Sequence, residues 1–599
     1  MAQSILITQC LQNDFVKPIG KLDRLPNKLH IGYEETKRLM GENPAEGPVA
    51  SVMRWAVAQP EERLSIIHIR DWHNPGDPAQ AGHFAHFGAH CVAGTEGAEF
   101  AFAAPDGAGR KTVVVDSPTL NDFHGTALAG MLSSFEGLPV KVGVMGVWTE
   151  AKVTFLAYEL GSRYPSFRIA VCSALTASSS TAMHFLALDQ MAKLLGVEVY
   201  PSVGKFIEFL GGEALSAPSL KHASDRPEIE GLDDGSEADL GLIRHLFRDC
   251  RKVAIEPLTG GFSGSAALSA RSVDILGHEQ APHVVKIGPR DAIGQERTAF
   301  ERIEPVLGNS APRVADFADM RERGAIKYRY ATMGKDHSTT FKKLYCGGMD
   351  SAQTEKILET VFVEQLGRLY SAGTLEKCDL LDYYQFSPDR AVSVRKRVEA
   401  LIGAPADGET LRFPNARSFP NLCLFYESSM PSLSNRRPDY AYHSYVHGDL
   451  NGANIVIDAN GNVWLIDFFH THRGHVLKDL IKLENDLLYI YTQIKSDADF
   501  DEALQVSDAL ASVTDLAAPL PKLAISSPSI HRSFQTLRKL RSFYPSLIRD
   551  NSDPLQWSVG AMRYAVHTLS FDESDAMQKK WALYTASLLG EKIRAGYQR

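Results

Sequence analysis

Residues 447–467, HGDLNGANIVIDANGNVWLID, constrain the fold of this chain more than any other feature. Asp449 and Asn454 stand at the spacing of a loop of the form H-x-D-x-x-x-x-N. Two short apolar runs around a turn sequence, within 455–466, predict a tight β-hairpin directly after this loop. Such a hairpin would bring the carboxylate of Asp467 back beside the loop.

An amide and two carboxylates in this arrangement suit nucleotide-dependent phosphoryl transfer. Asn454 and Asp467 would share Mg²⁺ ions, while Asp449 would face the hydroxyl group that accepts the phosphate. A surface hairpin that carries polar residues by chance is the alternative interpretation. It does not explain why apolar strands flank each of the polar positions.

The residues before this stretch predict the other half of a nucleotide site. A β-branched run ends at Lys286, which would contact the α- and β-phosphates. Glu296, in a helical pattern, is the expected ion-pair partner of Lys286, and Glu301 is the alternative partner. Residues 328–334 would form a hinge whose backbone holds the adenine. A glycine-rich turn would let backbone N–H groups approach the phosphates at Gly260, Gly261, Ser263 and Gly264.

With these motifs in this order, residues from about 240 to 599 resemble the aminoglycoside phosphotransferase and choline kinase family. The resemblance implies an α+β, bilobal, protein-kinase-like domain with an N-lobe at 240–334 and a C-lobe at 335–599. It also implies that residues 473–480 buttress the metal-binding loop. The segment at Asp467 reads Asp-Phe-Phe rather than Asp-Phe-Gly, a departure that this family tolerates.

The same resemblance implies a role for each matched residue. Asp449 would orient or deprotonate the acceptor, Asn454 and Asp467 would bind Mg²⁺, and Lys286, held by Glu296, would bind ATP. The implied activity is that of a kinase, which transfers the γ-phosphate to a hydroxyl of a small molecule or a protein. The helical C-terminal remainder would bind the acceptor, but its sequence does not identify that acceptor.

Chain length and composition predict more than one domain. A chain of 599 residues is too long for one hydrophobic core and predicts two large domains, or three. Residues 214–239 are rich in small, charged and Pro residues, which is typical of a linker. The predicted domains are therefore 1–213 and 240–599.

Charge and cysteine usage bear on the partners and the compartment. The net charge of −9 argues against nucleic acid as a partner, because phosphate binding favours a basic surface. No apolar run reaches the about 20 residues needed to span a bilayer, so no membrane contact is expected. The seven cysteines have neither disulfide nor metal-ligand spacing, and the N-terminus lacks signal-peptide features. We therefore expect a cytoplasmic protein.

The first part of the chain alternates short apolar strands with helical stretches, for example at 150–160 and 181–195. This alternation predicts an α/β domain with a parallel sheet and helices on both faces. In such folds reactive groups collect at the carboxyl ends of the strands. The predicted strands are 5–10, 64–69, 112–115, 140–147, 168–172 and 197–200.

Residues at these strand ends resemble the nicotinamidase and isochorismatase family of cysteine hydrolases, over about 4–212. The resemblance implies a divalent metal, Zn²⁺ or Fe²⁺, held by Asp71, His73 and His90, a ligand set that suits either metal. It also implies a homo-oligomer assembled through this domain. The matching segments are 11–15 (LQNDF), 70–73 (RDWH), 90–92 (HCV), 94–100 (GTEGAEF), 123–126 (FHGT) and 146–150 (GVWTE).

The three reactive positions of the family are substituted. The family has an Asp after the first strand, a Lys after the middle strand and a nucleophilic Cys early in a helix. Here these positions hold Cys10, Asp116 and Lys152.

Two interpretations of this substitution stay open. In one, the triad is permuted: Cys10 is the nucleophile, Lys152 lowers its pKa and Asp116 carries the proton. In the other, the domain has lost hydrolysis and keeps a ligand pocket or an interface. The second is favoured, because Cys10 at a strand end lacks the helix N-terminus and backbone donors that stabilise a thiolate and an oxyanion.

Three functions follow from these alternatives. The favoured one is an ATP- and Mg²⁺-dependent phosphotransferase whose N-terminal domain binds a ligand or mediates assembly. The second is a bifunctional enzyme, an amide hydrolase joined to a kinase, acting in pyridine or NAD metabolism. The third is a non-catalytic nucleotide-binding regulator, and the intact set of Asp449, Asn454 and Asp467 argues against it.

Overall fold

The structure of the chain falls into two compact units. One comprises Met1–Arg302 with Val314–Tyr328, and the other comprises Ile303–Arg313 with Arg329–Arg599. No helix in the described part of the chain combines the length and the apolar character needed to cross a membrane. The computed structural model describes residues 4–41, 44–45, 47–102, 113–212, 227–232, 235–257, 265–307, 313–319, 322–329, 339–413, 417–433, 439–458 and 460–597.

A parallel sheet of six strands organises the N-terminal part of the first unit. The strand order is β3-β2-β1-β4-β5-β6, and every neighbouring pair is parallel. All six predicted strands are present, with ends shifted by a few residues. Their bounds are β1 Ser4–Gln9, β2 Leu64–Asp71, β3 Val113–Ser117, β4 Lys141–Val147, β5 Arg168–Ala177 and β6 Glu198–Tyr200.

Helices cover both faces of this sheet, as predicted. Along β1, Leu6 belongs to one apolar core, and Ile5 and Ile7 belong to another, because successive side chains point to opposite faces. A π-helical turn, Thr149–Val153, leads into the sixth helix. The helices are α1 Asn13–Val16, α2 Tyr33–Met40, α3 Pro48–Val57, α4 Ala81–Phe87, α5 Leu128–Leu132, α6 Thr154–Arg163, α7 Thr181–Leu195 and α8 Val203–Phe209.

A second six-stranded sheet, with order β11-β12-β10-β9-β8-β7, belongs to the same unit. Within the predicted linker 214–239, β7 already pairs with β8, and a helix begins at Glu237. Ordered structure of the second sheet therefore starts before residue 240. The elements are β7 Glu228–Glu230, α9 Glu237–Leu246, β8 Cys250–Pro257, β9 Ala266–Asp274, β10 His283–Pro289, α10 Arg290–Glu301, β11 Arg313–Asp319 and β12 Arg323–Arg329.

The second unit is mainly helical and carries small sheets. Its long C-terminal helices bury large aromatic side chains such as Trp557 and Trp581. The helices are α11 Glu304–Leu307, α12 Phe341–Cys346, α13 Ser351–Glu359, α14 Gly367–Ser371, α15 Leu380–Tyr383, α16 Ala391–Ile402, α17 Leu422–Leu424, α18 Met430–Leu433, α19 Lys478–Tyr489, α20 Asp497–Ala511, α21 Pro528–Arg541, α22 Tyr544–Ile548, α23 Leu555–Thr568 and α24 Ala576–Tyr597.

The strands of the second unit include the hairpin predicted from residues 455–466. It pairs Ile455 with Leu465 and Ile457 with Val463 in antiparallel register. Every residue of both strands is buried, which explains the apolar runs in the sequence. The strands are β13 Thr339–Thr340, β14 Thr374–Cys378, β15 Thr410–Arg412, β16 Ser418–Pro420, β17 Asp439–Val446, β18 Ile455–Ile457, β19 Val463–Leu465 and β20 His472–His475.

Candidate functional site

Asp449 lies in the loop between β17 and β18, and a buried carboxylate supports this loop through hydrogen bonds. Asp479, at the start of α19, accepts hydrogen bonds from the backbone N–H groups of His447 and Gly448, both at 2.8 Å. It also accepts the hydroxyl of Tyr370 at 2.9 Å. Asp479, within the segment 473–480, therefore supports the Asp449 loop.

Gly448 is needed for the shape of this loop. Its φ is +89°, and a Cβ atom at this position would lie 2.0 Å from the carbonyl oxygen of His470. Any larger residue would therefore displace either the loop or the segment at His470. The glycine lets the chain turn so that the next residue, Asp449, leaves the buried region with its side chain partly exposed.

The hairpin brings Asp467 back toward Asn454, as predicted. The backbone N–H of Ile466 donates to the carbonyl oxygen of Asn454 at 3.0 Å. Asp467, the next residue after Ile466, therefore lies near Asn454. The side-chain amide of Asn454 donates to the carbonyl oxygen of Asp449 at 2.9 Å. Asp467 has a left-handed backbone, with φ at +65°. The hairpin thus brings the backbones of Asn454 and Asp467, the two predicted Mg²⁺ ligands, close together.

Lys482 is a neighbour of Asp449 that the sequence patterns did not reveal. Its ammonium lies 3.8 Å from Oδ1 of Asp449 and 3.1 Å from Oδ1 of Asp486. Burial lowers the pKa of Lys482, but the carboxylates of Asp486 and Asp449 outweigh burial and raise that pKa. A permanent positive charge therefore lies beside Asp449. The i, i+4 spacing of Lys482 and Asp486 on α19 was the available signal.

The segment that supports the loop also contains a buried neutral histidine, His475. Tyr384 donates its hydroxyl to Nδ1 at 2.9 Å, and Nε2 bonds to Oε1 of Gln556 at 3.1 Å. Burial lowers the pKa of His475 from 6.5 to about 3. The imidazole therefore stays neutral in the folded protein over the range in which an unfolded chain takes up a proton.

This histidine should make the fold sensitive to acid. Below pH 6.5, only the unfolded state protonates at His475, so the free energy of unfolding falls as the pH drops toward about 3. The loss amounts to about 1.4 kcal/mol per pH unit for one such group. The free energy of unfolding, measured with urea at pH 7 and pH 5.5, should fall less between these pH values for His475→Gln than for the wild type. Equal losses in both proteins would contradict this assignment.

Lys286 and Glu296 form the predicted ion pair in the first unit. Nζ of Lys286 lies 2.7 Å from Oε2 of Glu296, and both side chains are buried. Tyr328 donates its hydroxyl to the other carboxylate oxygen at 3.0 Å. The alternative partner, Glu301, lies 3.6 Å from Arg297 instead. The predicted phosphate-binding turn (Gly260, Gly261, Ser263 and Gly264) and residues 330–334 of the predicted hinge fall outside the described residues.

At the strand ends of the N-terminal sheet, Lys152 is the centre of a buried polar cluster. Its ammonium contacts Oδ1 of Asp122 at 2.6 Å and Oδ1 of Asp71 at 2.9 Å. It also donates to Oγ of Ser117 at 3.1 Å and to the carbonyl oxygen of Thr119 at 2.7 Å. Burial lowers the pKa of Lys152, but Asp122 and Asp71 raise it well above its ordinary value. Lys152 is therefore a fixed cation.

Cys10 lies in the same cluster as a buried thiol. Its Sγ is 3.4 Å from Oδ1 of Asp71 and accepts from the amide of Gln9 at 3.1 Å. Burial and the charge of Asp71 raise the pKa of the thiol well above its ordinary value, and Lys152 offsets only part of this. The predicted effect of Lys152 has the right sign, but the thiol stays protonated at neutral pH.

The prediction for Asp116 needs correction. Its side chain is 48% exposed and pairs with Arg70 at 2.7 Å, outside the cluster. Side chains alternate along β3, so Ser117 points inward where Asp116 points to solvent. The acid that does face Lys152 is Asp122, which follows the strand in a loop that sequence patterns could not place.

Three histidines gather beside Asp71. The ligand nitrogens of His73, His83 and His90 lie within 4.8 Å of one another. Nε2 of His73 is 3.7 Å from Oδ2 of Asp71. His83 was missed in the sequence, because it lies on α4 between the two predicted ligands and outside the recognised motifs. Its position seven residues before His90 is the only sequence signal.

The residues of this group suit a divalent metal. Nδ1 of His73 bonds to Oε1 of Gln80 at 3.0 Å, and Nδ1 of His90 bonds to the carbonyl oxygen of Gly88 at 2.8 Å. Such bonds orient metal-binding imidazoles and direct Nε2 toward the ion. Nε2 of His73 is buried and makes no hydrogen bond within the described residues. Burial lowers the pKa of His83 to about 4, which keeps it neutral and able to bind a metal.

We expect His83 to be a ligand in addition to the predicted Asp71, His73 and His90. A His83→Ala variant should lose at least about 10- to 100-fold in Zn²⁺ affinity, the range typical when a hydrogen-bond partner of a metal ligand is removed. Calorimetric titration of the metal-free protein measures this directly. His86→Ala is the control, because His86 lies on the same helix outside the cluster. Equal affinity in the His83→Ala and wild-type proteins would exclude His83 from the site.

Comparison with protein families places these residues in two known domains. Residues 250–412 and 389–570 match the model of the family described as Ternary complex associated domain 9. The two overlapping matches together span more than half of the chain. The chain belongs to this family. The Ternary complex associated domain 9 region contains Lys286, Glu296, Asp449, Asn454 and Asp467.

The N-terminal part is an isochorismatase-like domain. Residues 6–200 match the model of the Isochorismatase domain, whose expected parallel sheet with helices on both faces is the one observed. This range contains the Lys152 cluster and the three histidines. No curated protein matches the chain.

Several solved structures are similar to this isochorismatase-like domain. An isochorismatase-like hydrolase from Alkaliphilus metalliredigens is 22% identical, covers 35% of this chain and 98% of its own, and has a TM-score of 0.28. Nicotinamidase/pyrazinamidase from Bacillus subtilis is 19% identical over 33% of this chain and 98% of its own, with a TM-score of 0.27. Pyrazinamidase of Pyrococcus horikoshii in complex with zinc is 24% identical over 33% of this chain and 98% of its own, with a TM-score of 0.25.

Proposed function

We propose that this chain is an ATP- and Mg²⁺-dependent phosphotransferase that transfers the γ-phosphate to a hydroxyl group of a small molecule or a protein. The observation that carries the proposal is the support of the Asp449 loop by Asp479. A buried carboxylate that accepts two backbone N–H groups and a tyrosine hydroxyl holds this loop in one shape. A loop fixed in this way suits a catalytic group that must meet its substrate in a defined position.

In the proposed reaction, the acceptor oxygen forms a bond to the γ-phosphorus as the bond from that phosphorus to the bridging oxygen breaks. The acceptor proton passes to Asp449, and the leaving group departs as ADP. Mg²⁺ bound by Asn454 and Asp467 would neutralise charge on the phosphates. Lys286, held by Glu296, would contact the α- and β-phosphates.

Lys482 adds to this proposal. Its ammonium lies 3.8 Å from Oδ1 of Asp449, so a positive charge stands beside the group that would meet the acceptor. The same positive charge would also attract the transferred phosphate group. Removing this charge should therefore weaken the reaction both at Asp449 and at the transferred phosphate group.

For the isochorismatase-like domain, we propose ligand binding without hydrolysis. The position of the family's nucleophile holds Lys152, which is engaged by four oxygen atoms. The thiol of Cys10 is protonated, because burial raises its pKa. A ligand would instead be recognised by the metal group of Asp71 and the histidines.

An active amide hydrolase is the alternative for this domain. It is favoured by the isochorismatase match and by the preserved group of metal-binding residues. Ammonia release from nicotinamide and related amides, measured for the wild type and Cys10→Ala, separates the two. Release by the wild type that Cys10→Ala abolishes would establish the hydrolase and overturn our proposal for this domain.

The phosphotransferase proposal is tested with ATP and Mg²⁺. We expect the wild-type protein to bind ATP in a thermal-shift measurement and to turn it over when the acceptor is present. The Asp449→Ala variant should bind ATP but fail to turn it over. A wild-type protein that does not bind ATP would exclude the proposal, and one that binds ATP without turnover in any acceptor mixture would favour a regulator.

A further inference from the structure

Helix α10 carries Glu296 and has two different faces. Ile293, Glu296 and Phe300, spaced by three and four residues, lie on one face. This face meets the second sheet, where Glu296 pairs with Lys286 at 2.7 Å and the ring of Phe300 packs edge-on against Tyr328 at 5.5 Å. The inner face therefore determines where the carboxylate of Glu296 lies.

The opposite face of α10 contacts the isochorismatase-like domain along the whole helix. Asp291 accepts the hydroxyl of Ser202 at 3.0 Å, near the start of the helix. In the middle, the hydroxyls of Thr298 and Ser173 are 3.2 Å apart. The residue after the helix, Arg302, contacts both carboxylate oxygens of Asp189, at 2.9 and 3.0 Å. The spacing of 291, 298 and 302 places these residues on one side of the helix.

Two glycines allow the helix and the domain to approach closely. A Cβ atom on Gly294 would lie 3.2 Å from Cβ of Ser202, so the helix backbone packs directly against that loop. A Cβ atom on Gly204 would lie 2.3 Å from Nη1 of Arg290. The buried guanidinium of Arg290 lies across Gly204 and contacts Glu208 at 3.1 Å. The helix and the domain are therefore complementary in shape and are also joined by polar bonds.

We propose that the isochorismatase-like domain positions helix α10 and thereby sets the Lys286–Glu296 pair that binds the nucleotide. This inference rests on the proposed function, in which the Lys286–Glu296 pair binds ATP. Ser173, Asp189, Ser202 and Glu208 are positioning residues that act through the helix. They belong to β5, α7, α8 and the loop before α8, on the side of the sheet that ends in β6.

The physical basis is the stiffness of a short helix held on two sides. A shift of the outer face moves the inner face by a similar distance, and an ion pair at 2.7 Å tolerates little movement. Loss of the outer contacts should thus lower nucleotide affinity without changing any residue near the phosphates. Couplings between two sites of a protein typically change affinity about 5- to 150-fold.

The experiment reverses one ion pair at this contact in the full chain. Asp189→Arg places two cations together at Arg302 and should raise the Kd for Mg·ATP about tenfold, within the usual range of such couplings. The double variant Asp189→Arg/Arg302→Asp restores opposite charges and should recover most of the affinity. Lys193→Glu, an exposed charge reversal on the same helix α7, is the control and should bind like the wild type.

A purely structural contact would change stability but not nucleotide affinity. The readouts are therefore the Kd for Mg·ATP, the split between KM and kcat, and hydrogen exchange of residues 290–301. We expect faster exchange in α10 and a higher KM in Asp189→Arg, with kcat changed less. Gly204→Ala, which displaces Arg290 without weakening helix α8, should act in the same direction.

Unchanged affinity in Asp189→Arg and Gly204→Ala, with a wild type that binds ATP, would overturn the inference. A wild type that does not bind ATP would instead overturn the proposed function. In that case hydrogen exchange decides the positioning role alone. Faster exchange of 290–301 in Asp189→Arg, reversed in the double variant, supports it, and unchanged exchange overturns it.

Discussion

In an Asp449→Asn variant, phosphoryl transfer is expected to fall about 10²- to 10⁴-fold in kcat, the usual contribution of a general acid or base. Asn454 and Asp479 would still shape the loop, because their bonds go to backbone atoms rather than to the carboxylate of Asp449. Nucleotide affinity should therefore stay within a few-fold of the wild type. Steady-state ATP turnover in the presence of the acceptor measures both quantities.

The control for this variant is Asp497→Asn, the same change at an exposed position of the second unit. It should leave kcat unchanged. If Asp449→Asn kept the wild-type kcat, Asp449 would not be the group that takes the acceptor proton. If it lost nucleotide affinity and kcat to the same extent, the loop would serve binding rather than chemistry.

Replacing Lys152 by Met is expected to destabilise the isochorismatase-like domain by about 3–5 kcal/mol, the typical cost when a buried ion pair loses one partner. The change leaves the carboxylates of Asp71 and Asp122 buried beside each other without a cation. Chemical denaturation followed by circular dichroism should show an earlier transition for this domain. An active hydrolase with a permuted triad would lose catalysis as well, so ammonia release is measured in parallel.

A second substitution tests the cause of this loss. In the double variant Lys152→Met/Asp122→Asn, only one buried charge remains unpaired, so part of the stability should return. Lys193→Met, at an exposed position of α7, should unfold like the wild type. A Lys152→Met protein with wild-type stability would show that the cluster is solvated and that Lys152 is not a structural cation.

Local sequence patterns predicted the parts of the fold that depend on neighbours along the chain. The six strands of the first sheet, helix 181–195 and the hairpin at 455–466 follow from apolar periodicity and turn residues, and the structure contains them. The pairing of Lys286 with Glu296 was also predictable, because a strand and the next helix are adjacent in such folds.

The parts that were missed depend on contacts distant in the sequence. Asp122 and Lys482 join their clusters only through tertiary packing, and neither lies in a recognised motif. For Asp116, the prediction failed because side chains alternate along β3, so that Ser117 rather than Asp116 faces the cluster. The contact of α10 with the isochorismatase-like domain likewise has no sequence pattern of its own.

Phosphate transfer to a metabolite tests the central claim most directly. The full chain is incubated with Mg²⁺, ATP and a pool of small hydroxyl-containing metabolites, and mass spectrometry records which compounds gain a phosphoryl group. We predict at least one phosphorylated product with the wild-type protein, formed at least about 100-fold more slowly by Asp449→Asn. Two results would contradict the account. One is a wild-type protein that binds ATP but phosphorylates neither a metabolite nor a protein. The other is an Asp449→Asn variant that forms product as fast as the wild type.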